Sequence, residues 1–228
     1  MMLRCETRHR FFSEQILKVI LFSLLSFDFY VMLRCETRHH YFTEQNNSNM
    51  EKIYIGIDPG SKGFITAIKP NSNIEHLSIA DKTPKEILDF LNTLTVEARN
   101  YNWGVFACME EVHAIFGSSA KATFSFGEIF GLLKGIIIAS ELPYNLVQPK
   151  TWQKDIWSNA DVVHEYKKVA KNGEVVTRKV INTKATSIIA ARRIFPNTDL
   201  RKTPRSKNAD DNKVDSLLIA EFARRHNL

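Results

Sequence analysis

The sequence predicts a mixed α/β domain in which helices cover both faces of one sheet. Two observations lead to this fold class: residues 50–228 alternate short, β-branched strands with amphipathic helices, and the first three strands follow one another without an intervening helix. Strands joined by short turns pair antiparallel, whereas strands joined through a helix run parallel. The expected sheet is therefore five-stranded, with both kinds of pairing.

The strands are recognised by their composition and by the turns that bound them. They are predicted at residues 52–58, 64–69, 74–79, 105–112 and 144–149. The first, KIYIGID, is rich in β-branched residues and ends at Pro59-Gly60, which is typical of a buried strand entering a tight turn. The second and third are separated by PNSN, a turn-forming sequence that favours an antiparallel meander.

The helices have clear start and stop signals. Thr83 is a predicted N-cap with Pro84 at the first helical position and Glu86 in the capping-box place. Further helical segments are predicted at residues 119–140, 150–157, 183–195 and 210–226, whereas residues 158–181 are predicted to be polar and irregular. Three antiparallel strands, a helix, a strand, a helix, a strand and then helices form the RNase H-like pattern, with helices on both faces of the sheet.

The first 49 residues are predicted to lie outside this fold. MLRCETRH at 2–9 recurs at 32–39, but two copies are too few for a repeat architecture. The apolar segment 16–31 between them is interrupted by polar residues and is followed by no signal-peptidase site, so we interpret it as neither a signal peptide nor a membrane anchor. We expect a duplicated amino-terminal extension over residues 1–49 and the working domain over residues 50–228.

Composition narrows the class of partner. The 228 residues contain 31 Lys and Arg against 25 Asp and Glu, which gives a net charge of +6 and an isoelectric point near 9.2. Such a balance favours an anionic partner such as nucleic acid. Cys5, Cys35 and Cys108 lie far apart without CxxC spacing, which argues against a disulfide framework or a thiolate zinc site. We therefore expect a reducing, cytoplasmic environment and no membrane partner.

Acidic residues stand at the ends of two predicted strands. Asp58 closes the first strand, where a buried charge is costly unless it is paired or bound to a metal, although it could simply begin the PGSKG turn. Glu110 and Glu111 close the fourth strand, and one of them must point to each face if the strand stays regular. Only one of the two can therefore join Asp58; a solvated pair of strand-end acids is the alternative.

Two further acids lie at the start of the last helix. Asp211 and Asp215 are four residues apart, so both side chains project from one face of the helix. Asp211 could merely stabilise the helix dipole, but Asp215 lies one turn deeper. Carboxylates at Asp58, Glu110, Asp211 and Asp215 form an all-oxygen donor set of the kind that Mg²⁺ or Mn²⁺ prefers. Two such ions can activate a water for phosphodiester hydrolysis.

Three motifs carry a resemblance to a known family. GIDPG at 56–60, MEEVHA at 109–114 and DDNKVDSLLIAEFARR at 210–225 resemble, in this order and spacing, the RuvC-type Holliday-junction resolvases, or crossover junction endodeoxyribonucleases, particularly their phage-like members. The resemblance implies a homodimer that cuts branched DNA in recombination and repair, in a bacterial or phage-infected cell. Helix 119–140, with Gly127, Gly131 and Gly135 on one face, is our candidate dimer interface; close approach to a sheet or partner helix is the simpler explanation of these glycines.

The resemblance also implies roles for individual residues. Asp58, Glu110 and Asp215 match the metal-binding acids, and the fourth ligand is either Asp211 or absent, because Asn212 stands where related proteins often place the partner residue. Lys154 lies near the position of a lysine important for the chemistry, with Lys150 as the neighbouring candidate.

A basic stretch supplies candidate DNA contacts. Residues 150–207 contain 14 Lys and Arg against 5 Asp and Glu, which can neutralise a DNA backbone beside an acidic site. The candidates are Lys150, Lys154, Lys121, Arg201, Lys202, Arg205 and Lys207, with Phe116 as a residue that could stack in the junction. Trp152 and Trp157 are predicted core or interface residues, and His113 and His164 are interpreted as ordinary histidines.

These observations leave one leading function and one alternative. The leading prediction is a divalent-metal endonuclease that resolves Holliday junctions or other branched DNA with a metal-activated water. The alternative is a non-catalytic branched-DNA-binding protein whose metal site has decayed, which Asn212 keeps open. An actin-like sugar kinase also places an Asp and a glycine turn after its first strand, but it needs two such domains, and about 180 residues are too few.

Overall fold

A computed structural model describes residues 50–80, 82–111, 119–171 and 174–228. The predicted extension over residues 1–49 lies outside the described residues.

One five-stranded sheet forms the centre of the domain. Its strands are β1 (Lys52–Asp58), β2 (Phe64–Ile68), β3 (Ile74–Ser78), β4 (Gly104–Glu110) and β5 (Tyr144–Val147). Their spatial order is β3-β2-β1-β4-β5. The pairs β1–β2 and β2–β3 are antiparallel, whereas β1–β4 and β4–β5 are parallel. The predicted RNase H-like mixed sheet is therefore confirmed.

Five α-helices accompany the sheet in the described part of the chain. They are α1 (Pro84–Tyr101), α2 (Ala120–Ala139), α3 (Pro149–Ile156), α4 (Thr183–Ile194) and α5 (Asp211–Arg225). The predicted capping box of α1 is present, because the Thr83 side chain accepts from the Glu86 amide while the Glu86 carboxylate accepts from the Thr83 amide. Each helix begins within about two residues of its predicted start.

Strand periodicity divides the core into two layers. Ile53, Ile55 and Ile57 of β1 are fully buried in the layer formed with α1 and α2. Tyr54, one residue out of phase, belongs to the layer formed with α3, α4 and α5. Because side chains alternate across a strand, the even-numbered residues of β1 face the second layer, and Asp58 continues that face.

Helix α5 crosses β1 at very short range. A β-carbon built on Gly56 would lie 2.1 Å from the Ser216 carbonyl oxygen and 2.3 Å from the Ala220 amide nitrogen. No side chain fits there, so glycine is required at this crossing. The contact brings the first two turns of α5 next to the carboxyl end of β1.

The prediction for residues 158–181 is wrong. A 3₁₀ turn (Asn159–Asp161) is followed by two long strands, β6 (His164–Lys171) and β7 (Glu174–Ile181), that pair antiparallel in a separate two-stranded sheet. The sequence contains a local signal for this hairpin, because Asn172-Gly173 separates the two strand segments along the chain and Asn-Gly is a preferred two-residue hairpin sequence.

Helix α2 is anchored along only one side. Leu133, Ile136 and Ile137 are buried against the sheet layer, whereas Phe124 is 73% exposed and Ile138 is 56% exposed. By length and composition α2 is the one helix among the described residues that could cross a membrane, a segment that the sequence analysis did not expect. A helix that covers a sheet with one face passes the same test.

The three glycines of α2 do not serve close packing within the described protein. A β-carbon added at Gly127, Gly131 or Gly135 would meet no atom within 4 Å. Within the described residues, the explanation by close approach to the sheet is therefore wrong, whereas close approach to a partner helix stays a prediction. All three glycines are exposed on α2.

We expect Gly56→Ala to destabilise the domain strongly, because its methyl group would overlap the backbone of α5. Overpacking of this kind costs about 3 kcal/mol or more, which lowers the melting temperature of a domain of this size by roughly 6–12 °C. Thermal unfolding followed by circular dichroism measures the change.

Asn92→Ala is the control, since it places an alanine methyl group at an exposed position within α1, where alanine favours the helix. This variant is expected to melt at or slightly above the wild-type temperature. Equal melting temperatures for the two variants would contradict the close approach of α5 to β1.

Candidate active site

Asp58 and Glu110 are brought side by side by the parallel pairing of β1 and β4. Ile57 pairs with Met109, so the next residue of each strand, Asp58 and Glu110, stands at the same edge of the sheet. Glu110 also shares the face of Cys108, which is buried in the layer containing α5. The two carboxyl groups therefore point to the side of the sheet that α5 covers.

The turn of α5 that carries Asp215 is held by polar contacts on both sides. Asp210 caps the helix, its side chain accepting a hydrogen bond of 3.0 Å from the Lys213 amide. The buried hydroxyl of Ser216 lies 2.6 Å from that of Thr66 on β2. Thr66 in turn lies 2.8 Å from Nδ1 of His76 on β3. These contacts fix the residue next to Asp215 to the sheet.

His76 is an uncharged member of this network. Burial, assisted by the positive charge of Lys213, lowers the pKa of His76 to about 3. The ring is therefore neutral at physiological pH and acts as a hydrogen-bonding group beside Thr66.

The carboxyl groups influence one another strongly. Burial, followed by the negative charges of Asp215 and Glu110, raises the pKa of Asp58 well above its usual value. Burial raises the pKa of Asp215 to about 7; Glu110 and Asp211 add to the rise, and the Ser187 hydroxyl and Lys184 oppose it. Burial also raises the pKa of Glu110. Three acids distant in sequence thus share one desolvated region.

The donor chemistry of this region fits a hard divalent cation. Oδ1 of Asp215 is buried and has no hydrogen-bond partner among the described residues, which is costly for a carboxylate oxygen. A cation would satisfy that oxygen and relieve the repulsion between the acids. Within the described residues, however, no three Asp, Glu, His or Cys side chains stand together at the spacing of a metal-ligand group.

Trp152 has a role at the site that the sequence analysis missed. Its indole is fully buried, as expected for a core residue, and its Nε1 donates a hydrogen bond of 2.9 Å to Oε1 of Glu110. This hydrogen bond lowers the pKa of Glu110, against the effect of burial. Because the partners are 42 residues apart, only the fold reveals the pair.

Lys184 is the lysine that the structure places against the acids. Its ammonium group forms an ion pair with Asp211, and that contact raises the pKa of Lys184. Lys154, the candidate from the family resemblance, is exposed on α3, as is Lys150 one turn earlier. Both lie on the side of α3 away from the buried Trp152, because two residues turn a helix by about 200°.

The other predicted DNA contacts lie mainly on the surface. Lys121, Lys202, Arg205 and Lys207 are exposed, whereas Arg201 forms an ion pair of 2.8 Å with Asp199. His164 is an exposed residue at the start of β6. Trp157 packs edge-on against Trp152, with ring centroids 6.2 Å apart. Phe116 and His113 lie outside the described residues.

Several solved structures resemble this chain in fold at low similarity. One is the RuvC protein of Thermus thermophilus in complex with a Holliday junction substrate, with 13% identity, a TM-score of 0.41 and coverage of 76% of this chain and 96% of that chain. A Thermus thermophilus RuvC structure has 15% identity, a TM-score of 0.41 and coverage of 77% and 96%. The yeast mitochondrial Holliday junction resolvase Ydc2 has 13% identity, a TM-score of 0.38 and coverage of 77% and 78%.

No protein-family profile matches the chain, and no curated protein matches it in sequence. The assignment of the RNase H-like fold therefore rests on the strand order and directions.

We expect Asp215→Asn to stabilise the protein increasingly as the pH rises. A carboxyl group whose pKa increases on folding, here from 3.8 to about 7, weakens the fold as the pH rises through that interval and has no further effect above it. The free energy of unfolding of the variant, minus that of the wild type, should grow by on the order of 3 kcal/mol between pH 5 and 8. Urea unfolding in EDTA measures it.

Asp199→Asn is the control, because Arg201 holds the pKa of Asp199 below its usual value. The difference in unfolding free energy between this variant and the wild type should therefore not change between pH 5 and 8. A pH-independent difference between Asp215→Asn and wild type would show that Asp215 is not desolvated by the fold.

Proposed function

We propose that this protein is a divalent-metal-dependent endonuclease that hydrolyses phosphodiester bonds in branched DNA, with the Holliday junction as its substrate. The observation that carries the proposal is the shared, desolvated location of Asp58, Glu110 and Asp215 at one edge of an RNase H-like sheet. The three sequence motifs that resemble RuvC-type resolvases contain these same acids.

Asp58, Glu110 and Asp215 would hold the cation, with Asp211 as a further ligand once it separates from Lys184. When bound, Mg²⁺ or Mn²⁺, as one or two ions, would supply a Lewis acid that activates water and stabilises the leaving oxygen. Trp152 orients Glu110 through its indole hydrogen bond. Lys184, which lies beside Asp211, would supply a positive charge to the scissile phosphate.

A homodimer belongs to this proposal, since symmetrical cutting of a four-way junction requires two active sites related by a two-fold axis. The outer side of α2 is the proposed interface. It presents Phe124 and Ile138 to solvent together with three glycines that have open space around them. A second copy of α2 packed there would bury these apolar side chains and use the close approach that glycines allow. The proposed setting is DNA recombination and repair in the cytoplasm of a bacterial or phage-infected cell.

The second candidate function is binding of branched DNA without cleavage. It is favoured by Asn212, which stands where the related enzymes often carry a ligand, and by the absence of a three-ligand group among the described residues. In that case the basic surfaces would bind DNA, and the acids would no longer hold a metal.

The decisive experiment incubates the full chain with a synthetic four-way junction and, separately, with linear duplex of the same sequence, in Mg²⁺ and in EDTA. We expect paired symmetrical nicks in the junction in Mg²⁺ alone. Asp58→Asn, Glu110→Gln and Asp215→Asn should each reduce the cleavage rate by about 100-fold or more, because each removes a charge that holds the cation, while junction binding persists.

Asp89→Asn is the matched control, since this exposed residue of α1 pairs only with Lys85 among the described residues. Its cleavage rate should equal that of wild type. Binding without cleavage by the wild type would favour the second function, and undiminished cleavage by the three site variants would remove the proposed site.

A further inference from the structure

The hairpin β6–β7 carries more positive charge than its own contacts balance. Four cations, Lys167, Lys168, Arg178 and Lys179, lie on its described part, and all four are exposed. Lys167 is paired with Glu165 at 2.9 Å, whereas Lys168, Arg178 and Lys179 have no ion-pair partner among the described residues. Such a concentration favours an anionic partner.

The pairing register places these charges against each other. Lys167 stands directly opposite Arg178, an arrangement that destabilises a hairpin because like charges face one another. A two-stranded sheet is only marginally stable by itself, and this one pairs with no third strand in the described chain. The hairpin therefore retains charges that oppose its own folding, which is expected where a partner neutralises them.

One face of the hairpin is suited to contact with a large anion. Lys168 and Lys179 lie on it together with Tyr166, which stands opposite Lys179 and is 72% exposed, and with Thr177 opposite Lys168. Cationic, aromatic and hydroxyl groups side by side are the groups that bind phosphates and sugars of nucleic acid. Eight residues per strand give the hairpin a reach of about 26 Å.

The base of the hairpin is tied to the helix that borders the acids. The Asn182 amide donates to the Val163 carbonyl oxygen at 2.8 Å, and the Val163 amide donates to Oγ1 of Thr186 in the first turn of α4 at 3.1 Å. The same turn carries Lys184, the partner of Asp211. The hairpin therefore extends from the border of the candidate active site.

We propose that the β6–β7 hairpin is a DNA-binding arm that contacts the phosphate backbone of a duplex segment of the substrate away from the cleaved bond. The inference rests on the proposed function for the identity of the substrate as DNA. The arm contributes to affinity and to its salt dependence, and it takes no part in the chemistry.

The test is the double variant Lys168→Gln/Lys179→Gln in the full chain. In EDTA, its dissociation constant for a labelled four-way junction should rise by about 10-fold at 150 mM salt, and the slope of log affinity against log salt should fall by about 1.8, because two phosphate contacts are lost. In Mg²⁺ with saturating protein, the cleavage rate should stay within about twofold of wild type. Both side chains are exposed, so the fold should be unchanged.

Lys82→Gln/Lys85→Gln is the matched control, with the same change of charge on exposed residues that are ion-paired at the start of α1. Its salt slope should equal that of wild type. A slope for the hairpin variant that matches the control would overturn the inference, as would a change in its sedimenting mass, which would make the hairpin a subunit contact. A reduced slope for the hairpin variant, found together with a wild-type protein that cuts no junction, would support the arm while rejecting the nuclease.

Discussion

The close approach of α5 to β1 is the contact on which the rest of the site depends. With only hydrogen at Gly56, the Ser216 carbonyl oxygen and the Ala220 amide reach the strand backbone. That distance places Asp215 over the carboxyl ends of β1 and β4, where Asp58 and Glu110 already stand together. A larger residue at position 56 would lift the helix and move Asp215 away from Asp58 and Glu110.

The proximity of the acids opposes folding, and the surrounding structure offsets that cost. Desolvation and mutual repulsion raise the pKa values of Asp58 and Asp215. Two apolar layers, with isoleucines of β1 on one side and α5 on the other, supply the burial that stabilises the domain. Tertiary contacts such as that of Trp152 with Glu110 then orient the charged groups. Desolvated acids that repel one another are typical of functional sites.

Acidic and basic groups are separated by their depth in the protein. The acids lie half-buried at the sheet edge, while the cations of α3, the hairpin and the loop before α5 are on the surface. Lys184 is the exception, since it meets Asp211 directly. In the proposed function, the outer cations would bind the DNA backbone without pairing with the acids, so that the acids would remain available to bind a metal.

Local patterns in the sequence were sufficient for the fold and for part of the site. The β-branched strands, the PNSN turn and the capping box at Thr83 act over a few residues, so they predict the sheet and its helices directly. Strand parity likewise requires Glu110 and Glu111 to face opposite sides. The hairpin β6–β7 could also be predicted from the sequence, because Asn172-Gly173 is a local turn signal. The many charged residues of its two strands favour a loop instead.

Only the tertiary structure decided which of these residues meet. The pairs Trp152 with Glu110, Lys184 with Asp211 and Thr66 with Ser216 join separate elements of the fold, and no spacing along the chain encodes them. The orientation of α3 in the fold places Lys154 on the surface. The close crossing of α5 at Gly56 determines how deeply Asp215 is buried. Secondary structure follows from short-range preferences, whereas the composition of a site follows from how whole elements pack.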